Sequence, residues 1–218
     1  MKKQVVVVCL GRFGSNVAKA LFQNGHEVLA LDINERLVQE IMGDVTYAVQ
    51  GDATDEAVLR ELAVPNFDAG VVAIGSDLQA NIMVTVLLKT LGLPYVAARA
   101  QNPLHGNTLE RIGADKVIHP EEEMGVNVAH GLFNPDVQEY MALTADFGIS
   151  RVKVPARFAN MSLKESGFAS ARDKYGLAVL AIKRGKDVTI NPDSDDKLLA
   201  GDILVVAGRD ELLERLEG

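Results

Sequence analysis

The chain has 218 residues, a formal net charge of −8 and a single cysteine. This length suits one large domain or two small ones, and such a chain can bury a sizeable core without disulfide bonds. The acidic balance argues against general DNA or RNA binding, which requires a cationic surface that displaces counterions from phosphates. A lone cysteine excludes an intramolecular disulfide, and no apolar run approaches the ~20 residues of a membrane-spanning helix. We therefore expect a cytoplasmic protein without a transmembrane segment.

Strand-like and helical segments alternate along the first part of the chain. The apolar run 5–9 predicts a buried strand, and residues 16–24 place apolar side chains at helical spacing. The same reasoning predicts strands and helices in turn at 27–31, 34–42, 47–49, 55–63, 71–74, 76–91, 95–100, 107–112 and 117–118. Thr54 and Ser76 are the predicted N-caps of the third and fourth helices. Regular alternation of this kind is typical of an α/β fold with a doubly wound parallel sheet.

The pattern changes near residue 134. A helix is predicted from Pro120 to about Leu132, and the Asn-Pro-Asp sequence at 134–136 ends it. Strand-like pieces then cluster instead of alternating with helices, at 149–154, 177–183, 188–190 and 203–207, with short helices near 162–168 and 209–216. We therefore expect two domains, residues 1–134 with the doubly wound sheet and residues 135–218 with a small α+β fold.

A glycine-rich stretch, CLGRFG at residues 9–14, lies between the first strand and the first helix. It matches the last two glycines of the G-x-G-x-x-G nucleotide-binding motif, with Cys9 at the first glycine position. Gly11 would let the backbone approach a pyrophosphate, and Gly14 would let the first helix pack closely on the sheet. The free N–H groups at the helix start would then face phosphate oxygens. The pattern predicts a nucleotide site, whereas glycines that serve packing alone are the alternative.

Charged residues near this loop have two candidate roles each. Asp32 could accept hydrogen bonds from ribose hydroxyls, which would disfavour NADP, or it could cap the turn after the second strand. Arg12 could contact an additional phosphate, or it could be a solvated surface arginine. Asp52 could accept a hydrogen bond from the adenine amine, or it could cap a helix. Residues 73–76 lie where ligands bind in such sheets, although Gly75 could serve only as a turn.

The sequence offers no evident catalytic arrangement. Cys9 ends a buried strand, where an inert thiol is expected rather than a nucleophile. No Walker lysine follows the glycine loop. The four histidines all lie in the first part of the chain, at His26, His105, His119 and His130. We therefore expect nucleotide binding without turnover. The alternative is a small NAD-linked oxidoreductase, which would need a substrate domain that the short second part does not provide.

Three consecutive acids follow Pro120 at the start of the last helix of the first domain: Glu121, Glu122 and Glu123. They could compensate the helix dipole, or they could belong to a hard-cation site for Mg²⁺ or Ca²⁺. A single chain supplies few ligands, so such a cation site would need a second subunit or nucleotide phosphates.

Several motifs together resemble the RCK (regulator of conductance of potassium) family. They are the glycine loop at 9–14, Asp32, GDAT at 51–54, AQN at 100–102, GAD at 113–115 and HPE at 119–121. The similarity extends over essentially the whole chain and points to the cytosolic subunits of Ktr/Trk-type potassium uptake systems. It implies a Rossmann-like nucleotide-binding N-lobe over residues 1–134 and a TrkA-C-like C-lobe over residues 135–218.

The resemblance implies a regulatory subunit with no catalytic residues and no nucleic-acid partner. In this family, homodimers assemble into octameric rings beneath a membrane-embedded potassium-translocating subunit. ATP activates and ADP inactivates through different ring shapes, and NAD(H) binds the same loop in some members. The chain would then be attached peripherally to the inner face of the cell membrane through its partner.

The motif match also implies individual site residues. Arg12 would reach the terminal phosphate across the dimer, and Arg99 would lie near phosphate as well. Glu121 matches a glutamate at the dimer interface that holds a divalent cation with ATP. Arg172 lies in a stretch similar to part of a cyclic di-AMP site, although a solvated surface role is the alternative. The full set of expected cofactor-binding residues is Gly11, Arg12, Phe13, Gly14, Asp32, Ile33, Asp52, Ala53, Ala73, Ile74, Gly75 and Arg99.

Overall fold

The structure is a computed structural model that describes residues 1–132, 136–144, 146–168, 176–209 and 211–212. The chain divides into two compact units, Met1–Pro120 and Glu121–Gly218. The domain boundary that the sequence predicts between residues 134 and 135 lies outside the described residues and stays a prediction.

The first unit is built on a parallel sheet with helices between its strands. The strands are β1 (Gln4–Val8), β2 (Glu27–Asp32), β3 (Tyr47–Gln50), β4 (Ala69–Val72), β5 (Tyr95–Arg99) and β6 (Lys116–Ile118). The helices are α1 (Arg12–Gln23), α2 (Glu35–Ile41), α3 (Glu56–Glu61), α4 (Leu78–Thr90) and α5 (Pro103–Arg111). The strand order is β3-β2-β1-β4-β5-β6. The chain winds outward from the centre in both directions, which confirms the predicted doubly wound α/β fold.

The unbroken apolar run of β1 reflects burial on both of its faces. Val6 and Val8 pack with side chains of α3, α4 and α5, whereas Val5 and Val7 pack with side chains of α1 and α2. Successive side chains of a strand point to opposite faces, so a central strand covered by helices on both sides must be apolar throughout.

The register of the central strands aligns their carboxyl ends. Val8 of β1 is paired with Leu31 of β2 on one side and with Val72 of β4 on the other. The residues that follow these three, Cys9, Asp32 and Ala73, therefore lie side by side at one edge of the sheet. Parallel α/β sheets bind their ligands at this edge.

Two predicted helix caps are wrong by one residue. The carboxylate of Asp55, not the hydroxyl of Thr54, caps α3 by accepting a hydrogen bond from the Ala57 N–H. Asp77, not Ser76, caps α4 in the same way. Aspartate and serine are about equally good N-caps, so the choice between adjacent candidates depends on the residue at which the chain turns from the preceding loop into the helix.

The second unit contains a five-stranded antiparallel sheet. Helix α6 (Pro120–Leu132) begins at the junction between the units, and the short helix α7 (Leu163–Ser166) carries a capping box. The strands are β7 (Val137–Thr144), β8 (Phe147–Lys153), β9 (Ala178–Arg184), β10 (Asp187–Ile190) and β11 (Ile203–Arg209), in the order β10-β9-β11-β8-β7. This arrangement confirms the predicted small α+β fold. In the described part of the chain, no helix has both the length and the apolar character needed to cross a membrane.

Candidate functional site

The loop after β1 makes a tight turn into α1. Cys9 has a φ of 74°, a left-handed conformation that costs a residue with a side chain ~1–2 kcal/mol. Cys9 thus adopts a left-handed conformation that favours glycine, which is the residue of the motif at this position. A Cβ atom on Gly14 would collide with the carbonyl oxygen of Cys9, so glycine is required there. Gly11 is the N-cap residue of α1, and the space that its Cβ would occupy is open.

Asp32, at the end of β2, is buried and has hydrogen bonds to two backbone groups. Its Oδ2 accepts from the N–H of Leu10 at 2.6 Å, and its Oδ1 accepts from the N–H of Asn34 at 2.8 Å. The second bond is the turn cap that the sequence allowed. A carboxylate has about four acceptor positions, so these bonds leave capacity for ribose hydroxyls. The two candidate roles of Asp32 are therefore compatible.

Asp52 follows β3 and is exposed at the same edge of the sheet. Its Oδ1 accepts hydrogen bonds from the hydroxyl of Thr54 at 2.7 Å and from its N–H at 2.9 Å. These two bonds lower the pKa of Asp52, so its carboxylate is ionised near neutral pH. Because Asp55 is the N-cap of α3, the helix-cap role considered for Asp52 is wrong. The contact with an adenine amine stays a prediction.

A cleft of about 350 Å³ lies along the carboxyl ends of β1 to β4. This volume is in the range of small-molecule sites, ~300–1,000 Å³. Half of the predicted cofactor-binding residues line it, namely Gly11, Asp32, Ile33, Asp52, Ala53 and Ile74. The cleft lining does not include the other half, namely Arg12, Phe13, Gly14, Ala73, Gly75 and Arg99.

Among the predicted residues outside the cleft lining, Arg99 contacts both Phe13, in the first turn of α1, and Gly75. The guanidinium carbon of Arg99 is 5.9 Å from the centre of the Phe13 ring. A Cβ atom on Gly75 would collide with the same guanidinium, so this glycine makes room for Arg99. The side chain of Gln101 donates a hydrogen bond to the Gly75 carbonyl oxygen. Arg12 is exposed on α1 and has no ion pair within the described residues.

The sequence did not identify Asn81 as a site residue. Its side chain, on α4, is fully buried. Its Nδ2 donates to the carbonyl oxygens of Ile74 at 2.7 Å and of Arg99 at 2.9 Å. The available signal was an amide three residues before Val84 in a largely apolar helix, and this signal does not reveal which backbone groups the amide meets.

The described residues do not include an activated nucleophile in the cleft. Burial raises the pKa of the Cys9 thiol, and the nearby Asp32 carboxylate contributes to the rise. A thiol that stays protonated is a poor nucleophile. His105 is buried and accepts a hydrogen bond from the N–H of Gln101 through Nδ1. Within the ranges that the structure describes, no three His, Cys, Asp or Glu side chains form a group that could hold a metal ion.

The two remaining predicted residues belong to the second unit. Glu121 is exposed in the first turn of α6 beside Glu122 and Glu123. Its role toward a divalent cation stays a prediction. Arg172 lies outside the described residues, and so does the suggested cyclic di-AMP contact.

Family models and curated relatives match both parts of the chain. The TrkA-N domain model matches residues 5–120, and the TrkA-C domain model matches residues 149–217. The Ktr system potassium uptake protein C of Bacillus subtilis (strain 168) is 40% identical over 217 residues, which cover 100% of this chain and 97% of that protein. The Ktr system potassium uptake protein A of the same strain is 39% identical over 215 residues, covering 99% and 96%.

Solved structures with the same fold include RCK-domain proteins. The GsuK RCK domain has a TM-score of 0.66 at 19% identity, covering 100% of this chain and 47% of that chain. The GsuK channel bound to NAD has a TM-score of 0.64 at 19% identity, covering 100% and 39%. GsuK bound to ADP has a TM-score of 0.51 at 16% identity, covering 62% and 36%. The chain thus spans less than half of each GsuK chain, and identities this low show the fold alone.

Proposed function

The chain belongs to the family of RCK proteins in which a TrkA-N domain precedes a TrkA-C domain, and we propose that it is the nucleotide-sensing, non-catalytic subunit of a potassium uptake system. The observation that carries the proposal is the cleft at the carboxyl ends of β1 to β4, which combines the glycine loop with Asp32 and Asp52. Similarity to two Ktr system potassium uptake proteins over nearly their full length supports the potassium system.

The proposed ligand is an adenine nucleotide, ATP or ADP, with NAD(H) as a second ligand of the same cleft. Asp32 would accept hydrogen bonds from the ribose, and a 2′-phosphate would be repelled by its charge. Asp52 would face the adenine amine. The phosphates would lie at the N-terminus of α1, where unpaired N–H groups and the helix dipole favour negative charge. GsuK structures with bound NAD and bound ADP support this class of ligand for the fold.

The proposed switch depends on the one phosphate by which ATP and ADP differ. A ligand shifts a two-state equilibrium only by its difference in affinity for the two states. Arg12 is exposed in the first turn of α1, where it could bind the terminal phosphate of ATP and change how subunits pack. ATP would then favour the active arrangement, and ADP the inactive one.

The proposed assembly follows the family resemblance. Homodimers would form an octameric ring on the cytoplasmic face of a membrane-embedded potassium-translocating subunit. Glu121 would contribute to a Mg²⁺ or Ca²⁺ site shared between subunits and the phosphates of ATP. Light scattering on the purified protein with ATP and with ADP measures the mass and the size of the particle. We expect an octamer in both cases, with a nucleotide-dependent radius.

Titration calorimetry with ATP, ADP and NADH tests the proposed ligand class directly. We expect ATP and ADP to bind with micromolar dissociation constants and to be recovered intact after incubation. Failure of both to bind would contradict the proposal. Oxidation of NADH in the presence of a small-molecule acceptor would instead support the small NAD-linked oxidoreductase.

A further inference from the structure

One buried side chain holds the ends of β4 and β5 together. The backbone pairing of these strands runs from Ala69↔Tyr95 to Val72↔Ala98 and extends no further. Beyond this pairing, the Nδ2 of Asn81 donates to the carbonyl oxygens of Ile74 and Arg99, at 2.7 Å and 2.9 Å. Asn81 therefore continues the connection between the two strands up to the edge of the sheet where the cleft lies.

The amide of Asn81 is retained although its burial is unfavourable. Its Oδ1 is buried and has no hydrogen-bond partner among the described residues. The neighbouring positions Val84 and Leu88 on α4 are fully buried and apolar. An apolar side chain would remove the unpaired oxygen, but it would also leave the carbonyl oxygens of Ile74 and Arg99 without this donor. Leaving a buried acceptor without its donor costs ~1–3 kcal/mol. The two donated hydrogen bonds are therefore the part of this side chain that a hydrophobic residue could not replace.

Both backbone groups that Asn81 binds lie at Arg99 or next to a residue that contacts its side chain. One is the carbonyl of Arg99 itself, and the other belongs to Ile74, immediately before Gly75. The Arg99 guanidinium occupies the space that a Gly75 Cβ would need, and its carbon lies 5.9 Å from the centre of the Phe13 ring. A shift of either strand end would move the guanidinium relative to the first turn of α1.

We propose that Asn81 is a positioning residue for nucleotide recognition. It holds Arg99 beside the start of α1, so that the guanidinium strengthens the binding of a nucleotide's phosphates and leaves the binding of its nucleoside unchanged. The inference rests on the proposed function, because it requires a nucleotide in the cleft. Asn81 would thus affect phosphate binding through Arg99, without contacting the phosphates itself.

The test compares Asn81→Ala with wild type by calorimetry with ATP, and by displacement of ATP with adenosine. We expect the variant to bind ATP about tenfold more weakly, as for the loss of one charge-assisted hydrogen bond. Adenosine affinity should stay within about twofold of wild type, since its contacts lie in the cleft. The matched control is Thr85→Val, which removes another fully buried polar group of α4, a hydroxyl that donates to the backbone carbonyl oxygen of Asn81 at 2.8 Å. This control should bind both ligands as wild type does.

A double-mutant cycle with Arg99→Gln separates positioning from general stability. If Asn81 acts through Arg99, Asn81→Ala should weaken ATP binding no further in the Arg99→Gln background. Gly75→Ala is an independent test, because the new Cβ would displace the far end of the Arg99 side chain. This variant should bind ATP more weakly and adenosine as wild type does. If Asn81→Ala does not fold, Asn81→Ser, which keeps one donor, should show an intermediate loss for ATP.

Two results would overturn the inference alone: equal losses for ATP and adenosine in the Asn81 variants, or fully additive losses in the cycle. Failure of the wild-type protein to bind either ligand would overturn the proposed function, and the inference with it.

Discussion

The Asp32 carboxylate accepts a hydrogen bond from the backbone N–H of Leu10, with 2.6 Å between Oδ2 and the nitrogen. Leu10 lies between Cys9 and Gly11, so the residue that we propose to bind a ribose also holds the loop that we propose to bind phosphates. A change at Asp32 should therefore affect both halves of a bound nucleotide.

Asp32→Asn should weaken ATP and ADP alike, by about 10- to 100-fold, the range for hydrogen bonds to a charged group. The new amide would turn a donor toward one of the two backbone N–H groups that the carboxylate now binds. Calorimetry measures the loss. The matched control is Asp68→Asn, because Asp68 accepts from the Gln4 N–H at 2.8 Å at the opposite edge of the same sheet. Asp32→Asn binding with the affinity of Asp68→Asn would show that Asp32 does not contact the ligand.

Arg12→Ala should weaken ATP more than ADP, because the exposed guanidinium is proposed to meet only the terminal phosphate. The expected difference is about tenfold, the size of one charge-assisted contact. Arg36→Ala is the control, since Arg36 is an exposed arginine that pairs with Glu40 on α2. Equal losses for both nucleotides would remove Arg12 from the proposed switch.

Cys9→Gly should make the first unit more stable than Cys9→Ala does. Alanine keeps the cost of a Cβ at a φ of 74°, which glycine removes. The relief of ~1–2 kcal/mol is offset by the greater freedom of glycine in the unfolded chain, ~0.5–1 kcal/mol. We expect a net difference of about 0.5–1 kcal/mol in the free energy of unfolding, measured by denaturant titration. An alanine variant as stable as the glycine variant would show that the turn is not strained.

The stability of the second unit should fall below about pH 4 through Asp202. Arg184 donates to both carboxylate oxygens of this buried residue, at 2.9 Å and 2.8 Å, and these bonds lower the pKa of Asp202. In the unfolded chain the Asp202 carboxyl has the ordinary aspartate pKa of ~3.9, which is higher than its pKa in the folded protein. The stability that its ion pair contributes is therefore fully present above this value. It is lost as pH falls through the lower folded pKa.

Thermal unfolding of Asp202→Asn between pH 2 and pH 7 measures this contribution, over a range set by the aspartate titration. The variant should be less stable than wild type at pH 7 and should show a flatter acid limb. The control Asp187→Asn, at an exposed position of β10, should keep the acid limb of wild type. An unchanged acid limb in Asp202→Asn would contradict the assignment.

The sequence predicted those parts of the molecule that depend on local pattern. The apolar run of β1 placed the first strand correctly, and the glycines after it placed the turn that leads into α1. Helix α1 was predicted over residues 16–24 but begins at Arg12. Helix α5 was predicted to start at residue 107 but starts at Pro103, because Asn102 caps it and proline fits a first helical position. Strand β7 was missed, since its exposed residues alternate weakly and it is stabilised by pairing with β8.

Contacts between residues distant in sequence could not be predicted. Gly75 looked like a turn residue, and only the fold reveals that Arg99 fills the space beside it. The two bonds of Asn81 likewise depend on strand ends that the chain brings together from separate segments. The cleft itself follows from the register of β1, β2 and β4. The sequence predicts the fold but not this register.

We propose that a nucleotide in the cleft controls potassium uptake, and rubidium uptake by cells tests this control most directly. The host is a Bacillus subtilis strain without its Ktr system potassium uptake proteins A and C, expressing wild type, Asp32→Asn or Asp68→Asn at equal protein levels. We expect wild type and Asp68→Asn to restore uptake and Asp32→Asn to fail. Restoration by Asp32→Asn to the wild-type rate, or no restoration by wild type, would contradict the claim.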